Sequence, residues 1–367
     1  MGNMKSSNAF VVVLLVLFAV GIGAQENAEG LEVGEIIYVD GPVSVFRDGE
    51  RLFDEIDFGF VFESYDFVQT AAGGIVEIQL YPETGVDAIL TLQPNTAMYL
   101  DLSAVADGGG AGIEAVTGSM AVDVSRLLRG TDLDLRTETA NMGVRGTVFE
   151  VDVAPTGDVL VTASEGRVEV TTEEGDSYIA SEGIAVEGRV NAPWRNREID
   201  EDSIARFREQ WLRDVVADLR QNAVRVFRRN AIRYNRLKDQ FNDLYESIVE
   251  NREIVTEWIR ADRQASILER MQITQAVREL RRDLSQARRR LFLLERLHYR
   301  IAGLSRFYSQ GFGAGRRLPG FDPERFFESF EDERELLEER MHMVRYVFKL
   351  YRERTGERIA PSLFGTN

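Results

Sequence analysis

An N-terminal all-β domain, solenoid-like or sandwich, followed by a long α-helical coiled-coil or helical-hairpin domain is the α+β multidomain arrangement that this sequence predicts. Three observations predict it. From Leu31 to Val190, short runs of alternating apolar and polar residues are separated by turn residues. From Arg189 to Ala302 there is no glycine, and from Trp194 to Leu318 no proline. The charge divides along the same line: residues 1–190 hold 9 Lys or Arg against 32 Asp or Glu and the remainder holds 35 against 29, a split of −23 and +6 within a total of −17.

At 367 residues the chain is long for one ordinary domain and suggests two, or one domain plus an extended element. Residues 1–24 read as a signal peptide: Lys5 precedes an unbroken apolar run from Ala9 to Val20, and the small-residue end GIGA stands before Gln25. The run is shorter than the roughly 20 apolar residues that cross a bilayer, and an uncleaved anchor is the alternative.

The β domain is expected over 31–190. Val43 and Val45, then Val76, Ile78 and Leu80, then Val86, Ala88, Leu90 and Leu92 mark strands. Asp48-Gly49, Gly73-Gly74, Thr84-Gly85 and Gly108 to Gly110 supply turns. Later glycines fall at 157, 166, 175 and 183, the spacing of a meander, a sandwich or a β-solenoid.

The helical region is expected over 198–310. A three–four spacing runs through Tyr234, Leu237, Phe241, Leu244, Ile248, Asn251, Val255 and Trp258, and a second through Val277, Leu280, Leu284, Ala287, Leu291, Leu294, His298 and Ile301. One helix does not bury both seams, so either it folds back, near Asp262 to Ser266, or it dimerises. Residues 311–323 hold glycine and proline and form a loop, and 324–355 form a last helix whose stripe of Phe326, Phe327, Phe330, Leu337, Met341, Val344 and Phe348 is expected to pack it on the coiled coil as a third helix.

Catalytic chemistry has a poor inventory. There is no cysteine, which removes thiol nucleophiles and thiolate metal ligands, and only two histidines, His298 and His342, neither with a ligand partner on its own helical face. Gly311, Gly313 and Gly315 follow a helix, whereas a phosphate loop follows a strand, so a flexible connector is expected there. Glu173, Glu174 and Asp176 lack the spacing of a calcium loop. No catalytic, cofactor or metal residue is assigned, and an acidic β domain argues against nucleic-acid binding.

The most distinctive stretch is Thr137 to Val151, TETANMGVRGTVFEV. Gly143 and Gly146 bracket Val144 and Arg145, so a constrained turn aims the arginine, and Thr147 and Phe149 lead into a strand in which Phe149, Val151 and Val153 share one face and Glu150 and Asp152 the other. With Thr137, Thr139 and Ala140, these residues resemble the hallmark segment of FecR-type domains, and the likeness continues through Glu165 to Val170. The resemblance implies a periplasmic β domain that senses or relays a signal at the envelope. It makes Gly143, Val144, Arg145, Gly146, Thr147 and Phe149 either shapers of the domain or its binding motif. A departure from the regulators that give the family its name is that only about eight residues precede the apolar run, which puts direct transmembrane relay in doubt.

Arg278, Arg281, Arg282, Arg288, Arg289 and Arg290 form the densest cationic face, either solvated or able to dock the acidic β domain or an anionic envelope polymer. Docking within one molecule would weaken as salt rises. The expectation is a non-enzymatic periplasmic or extracytoplasmic protein with an envelope protein or anionic polymer as partner, membrane contact only through an uncleaved leader, and homo-oligomerisation through the coiled coil. The alternative is a structural or adhesive scaffold.

Overall fold

The computed structural model describes residues 31–102, 111–127, 133–144, 146–200, 203–250, 256 and 274–355. The leader, Arg145 and the Asp262 to Ser266 turn lie outside the described residues. So do the side chains from Val277 to Ala287 and most of the 278–290 arginine run.

The strands follow from alternation. The first are β1 (Glu32–Asp40), β2 (Val43–Arg47), β3 (Glu50–Leu52), β4 (Val61–Glu63), β5 (Phe67–Thr70), β6 (Ile75–Leu80), β7 (Val86–Leu92), β8 (Ala97–Asp101) and β9 (Ala111–Leu127). In β6 and β7 every second residue is buried, and the two pair antiparallel with Val76 opposite Leu92 and Ile78 opposite Leu90. Each such Val or Leu contributes about 1.5–3 kcal/mol on burial. Then come β10 (Leu133–Arg136), β11 (Ala140–Val144), β12 (Val148–Val153), β13 (Val159–Glu165), β14 (Arg167–Thr172), β15 (Ser177–Ser181), β16 (Ile184–Arg189) and β17 (Ala192–Glu198).

β9 is the spine. Its 17 residues serve two sets of partners: β8 and β7 on one side, β10 and β12 on the other. Gly118 stands in its middle at φ 98°, where a Cβ would fall 2.4 Å from the Thr96 backbone, so only glycine fits there. From β9 the pairing runs through β10, β11, β14, β15, β16, β13 and β12 and returns to β9, closing a barrel. The earlier strands wrap beside it as an additional sheet sharing one continuous core.

Closure takes the place of the solenoid-like stacking. The glycines at 157, 166, 175 and 183 all adopt positive φ in tight turns, and tight turns join antiparallel neighbours where stacked parallel coils need crossovers. Among the described strands only β9 and β10 pair in parallel.

Three helices follow: α1 (Ile204–Glu250), α2 (Thr274–Ser309) and α3 (Pro323–Thr355). Tyr234 lies beside His298 and Phe227 beside Tyr308, so α1 and α2 run antiparallel. Tyr308 on Phe327 and His298 on Glu338 set α3 antiparallel to α2. The result is a three-helix bundle, with the last helix packed on the other two as its apolar stripe predicts. Tyr234, Leu237, Phe241, Leu244 and Ile248 meet Leu291, Leu294 and Ile301 in its core, and Phe327, Phe330, Met341 and Val344 of α3 supply the third side.

Candidate functional site at the seam between strands and helices

The FecR-like segment begins at a corner. Thr137 Oγ1 accepts the Ala140 amide at 3.0 Å and donates to the Ala140 carbonyl at 3.2 Å, which folds the chain between β10 and β11 and thrusts Glu138 outward. Glu138 does not reach solvent. Arg300 of α2 and Arg233 of α1 close on its two oxygens, the latter at 2.5 Å. Burial opposes ionisation of this carboxyl, but Arg300 and Arg233 outweigh it and hold it below the ordinary range. Arg300 also lies over the Gly157 turn, where a Cβ would stand 2.9 Å from its guanidinium, so the close approach depends on glycine.

Strand β12 repeats the arrangement. Phe149, Val151 and Val153 enter the core, as alternation predicts. The opposite face, Glu150 and Asp152, is covered by Arg208 of α1, whose guanidinium makes a fork onto Asp152 at 2.8 and 3.0 Å and also pairs with Glu150 and Ser119. One turn on, the Trp211 indole donates to Glu187 of β16 at 2.9 Å and packs with Val215 on Leu160 and Ala185. These contacts hold the first turns of α1 to the barrel.

A third cluster joins α2 and α3 to β9. Arg345 grips Glu295, approaches Glu114 at 3.5 Å and lies 3.9 Å above the Tyr99 ring. Arg296, 1% exposed, stands 3.8 Å from Glu114, and burial pushes its guanidinium down to about 10. Beside it an aromatic cluster joins the two halves: His342 stacks on Phe46 at 3.7 Å and meets the Tyr299 hydroxyl at 3.3 Å, and Tyr299 stacks on Phe67. Burial drives the His342 imidazole down to about 3, so it is neutral. His298 is also lowered by burial. As a neutral ring it donates Nε2–H to Glu338 at 3.1 Å, and that carboxyl is held near 2 by His298 and Arg334 against the cost of burial. A small cleft opens here between Asp48, Tyr65, Asp66, Arg345 and Lys349, and its charges are already engaged: Lys349 with Asp48 at 2.7 Å, Asp66 with Arg47. The arrangement suits rigid joining more than ligand capture.

The residues singled out in the sequence separate. Val144 and Thr147 are 1% exposed and Phe149 is fully buried, so all three belong to the core. Gly143 and Gly146 are exposed, and a Cβ on either would meet no atom within 4 Å; Gly146 takes φ 56°. Of the 278–290 arginines only the side chain of Arg290 is described, half-buried. The arginines that do meet the acidic strands are Arg208, Arg233, Arg296, Arg300 and Arg345, which sequence reasoning missed. One signal pointed to Arg208: the polar face of β12 is acidic twice over, and α1 offers an Arg and a Trp three residues apart in its first turns.

The chain has no cysteine, and among the described residues no group of three or more His, Asp or Glu is placed to hold a metal. No described helix is long and apolar enough to cross a membrane. No curated protein matches the chain. Two crystal structures of a candidate anti-sigma factor from Parabacteroides distasonis ATCC 8503, at 2.50 and 1.65 Å, are similar at 19% identity and a TM-score of 0.32. The likeness covers 38% of this chain and 62% of theirs, so the chain spans less than two thirds of that protein, and it is too slight to carry a fold or an activity across. The family model described as FecR protein matches residues 66–169, from the start of β5 into β14, and takes in the Thr137 corner, Gly143 at the end of β11, Gly146 and strand β12. Residues 66–169 therefore form a FecR-like domain.

Proposed function

We propose that this is a non-enzymatic protein of the cell envelope with a sensing or regulatory role. Its FecR-like domain binds a protein partner through the Gly143–Gly146 turn, and the helical bundle fixes how that turn is presented. The observation that carries the reading is the division of one motif. Glu138, Glu150 and Asp152 are committed to arginines of the bundle, whereas Gly143 and Gly146 are exposed and bare of side chain, with no atom within 4 Å of where a Cβ would stand. A surface without side chains lets a partner approach the chain closely there. Arg145, between these glycines in sequence, supplies the charge for recognition. The FecR-type match and the leader-like first 24 residues support an envelope location.

A structural or adhesive scaffold is the second reading, favoured by the exposed aromatic side chains of Phe53 and Phe58.

A photo-crosslinking residue at position 143 of the full chain, installed in producing cells, tests the first reading. It should give a discrete adduct with an envelope protein that the same residue at Arg213, exposed on α1, does not give. No adduct at 143, or identical adducts at both positions, would remove the turn from the binding site.

A further inference from the structure

The loop between β3 and β4 carries a fixed, exposed tip: the Arg51 guanidinium lies 4.3 Å from the centre of the Phe53 ring, and the Phe58 ring is left to solvent among the described residues. Ile56 and Phe60 anchor it in the core, and Phe60 meets Phe62 edge-on at 5.2 Å. The Ile36 amide donates to the Phe60 carbonyl at 3.0 Å, the Gly59 amide to the Ile36 carbonyl at 2.8 Å, and the Phe58 amide to Asp57 Oδ1 at 2.7 Å. Phe58, between those anchors, is 75% exposed and Phe53, just ahead of them, 54%, beside the exposed carboxylates of Asp54, Glu55 and Asp57. Two phenylalanines held out to water on a hydrogen-bonded loop are the composition of an interface centre rather than of a solvated loop.

The complementary surface lies on the same molecule. Between Asp218 and Asp239, α1 has no acidic residue. Arg225, Arg228, Ile232 and Arg236, at steps of three, four and four, share one exposed face, and Ile232 at its centre is 60% exposed. Neither Arg228 nor Arg236 makes a hydrogen bond or ion pair among the described residues, in contrast to Arg208, Arg213 and Arg233 of the same helix. An apolar residue framed by free guanidinium groups matches a tip of exposed phenylalanines framed by carboxylates.

We infer that the protein associates head to tail, the Phe53–Phe58 tip of one copy seated on the Arg225–Arg236 face of the next. Tip against tip or stripe against stripe would set like charges together, so a symmetric dimer through either surface is disfavoured. Tip on stripe uses two different surfaces and leaves one of each free at the ends of an assembly. Such a contact propagates into an open chain or closes as a ring. This interface is separate from the Gly143–Gly146 turn, so its failure leaves the crosslinking result at position 143 untouched.

Sedimentation velocity of the purified full chain over a wide concentration range tests the assignment. The average mass should rise with concentration, and less steeply at high salt. Phe58→Ser and Ile232→Glu alter exposed side chains, and unchanged melting temperatures would establish that both variants fold. Each alone should weaken self-association by about tenfold or more. Mixed in equal amounts, the two should form a dimer and stop there, because the mixture restores one tip and one stripe per pair. A mass that stays monomeric at every concentration would overturn the proposal. So would association that neither substitution changes, or a mixture that behaves as its separate components do.

Discussion

The two ends of β11 stand in opposite relation to the helical bundle. At its start, Glu138 is 8% exposed and clamped by Arg233 and Arg300; at its end, Gly143 is open and would not crowd even an added side chain. Both belong to one FecR-type segment. The difference shows that the motif serves two purposes: its acidic corner and the acidic face of β12 hold the barrel to the helices, while its glycine turn is left accessible. A buried ion pair is a poor source of net stability but a strong geometric constraint, because a displaced partner leaves a charge without water.

The largest effect should come from the covered side. Arg345→Ala leaves the carboxylate of Glu295, 1% exposed, without its guanidinium and should cost about 3–5 kcal/mol in chemical denaturation. Glu138→Ala frees Arg233, which is partly exposed, but strands Arg300, and about 3 kcal/mol is expected. If Glu138→Ala costs less than about 0.5 kcal/mol, the contrast between the two ends of β11 is one of appearance only.

A smaller effect is expected from acid. His342 titrates near 3 in the fold against about 6.5 in an unfolded chain, so between those values only the unfolded chain takes up the proton and stability falls as pH drops through the window. Moving from pH 7.5 to pH 5 should cost about 2 kcal/mol through this residue. His298, lowered in the same direction, adds to the loss. Glu338, held near 2, keeps its contribution until the pH falls below about 4.3, so its own loss lies below this window. His342→Gln keeps an acceptor for Tyr299 without the titration, and denaturation at the two pH values should show a reduced penalty.

The open end should respond least. Gly146→Ala places a side chain at φ 56° and should cost about 1 kcal/mol, whereas Gly143→Ala, at an ordinary strand φ with free space around it, should change the melting midpoint by no more than the equivalent of about 0.5 kcal/mol. A large loss at Gly143 would place that residue in the structural part of the motif.

Much of this was legible in the chain itself. Val76, Ile78 and Leu80 declare their strand by alternation. The absence of glycine from 204 to 250 declares helix, although the same absence over Ala192–Glu198 falls on strand β17, and the Tyr234 and Leu291 seams name the faces that meet. What was not legible depends on contacts far apart in sequence. Ring closure needs β9 to meet β12 and β10 at once, and no local pattern encodes a partner. In an arginine-rich helix, Arg208 and Arg228 look alike; one is buried against Asp152 and the other is free, and only the docked β12 distinguishes them. His342 reads as an ordinary helix residue until Phe46, almost three hundred positions away, is stacked on it.

The central claim is that buried arginine–carboxylate pairs make barrel and bundle one rigid unit. Small-angle scattering of the monomer at low and at molar salt tests it most directly. The account predicts an unchanged radius of gyration, because pairs across the seam such as Arg300–Glu138 and Arg208–Asp152 are largely out of reach of the ions that screen surface charge. A radius that grows with salt would mean that the two halves are joined by screened surface attraction and move apart, contradicting the rigid unit.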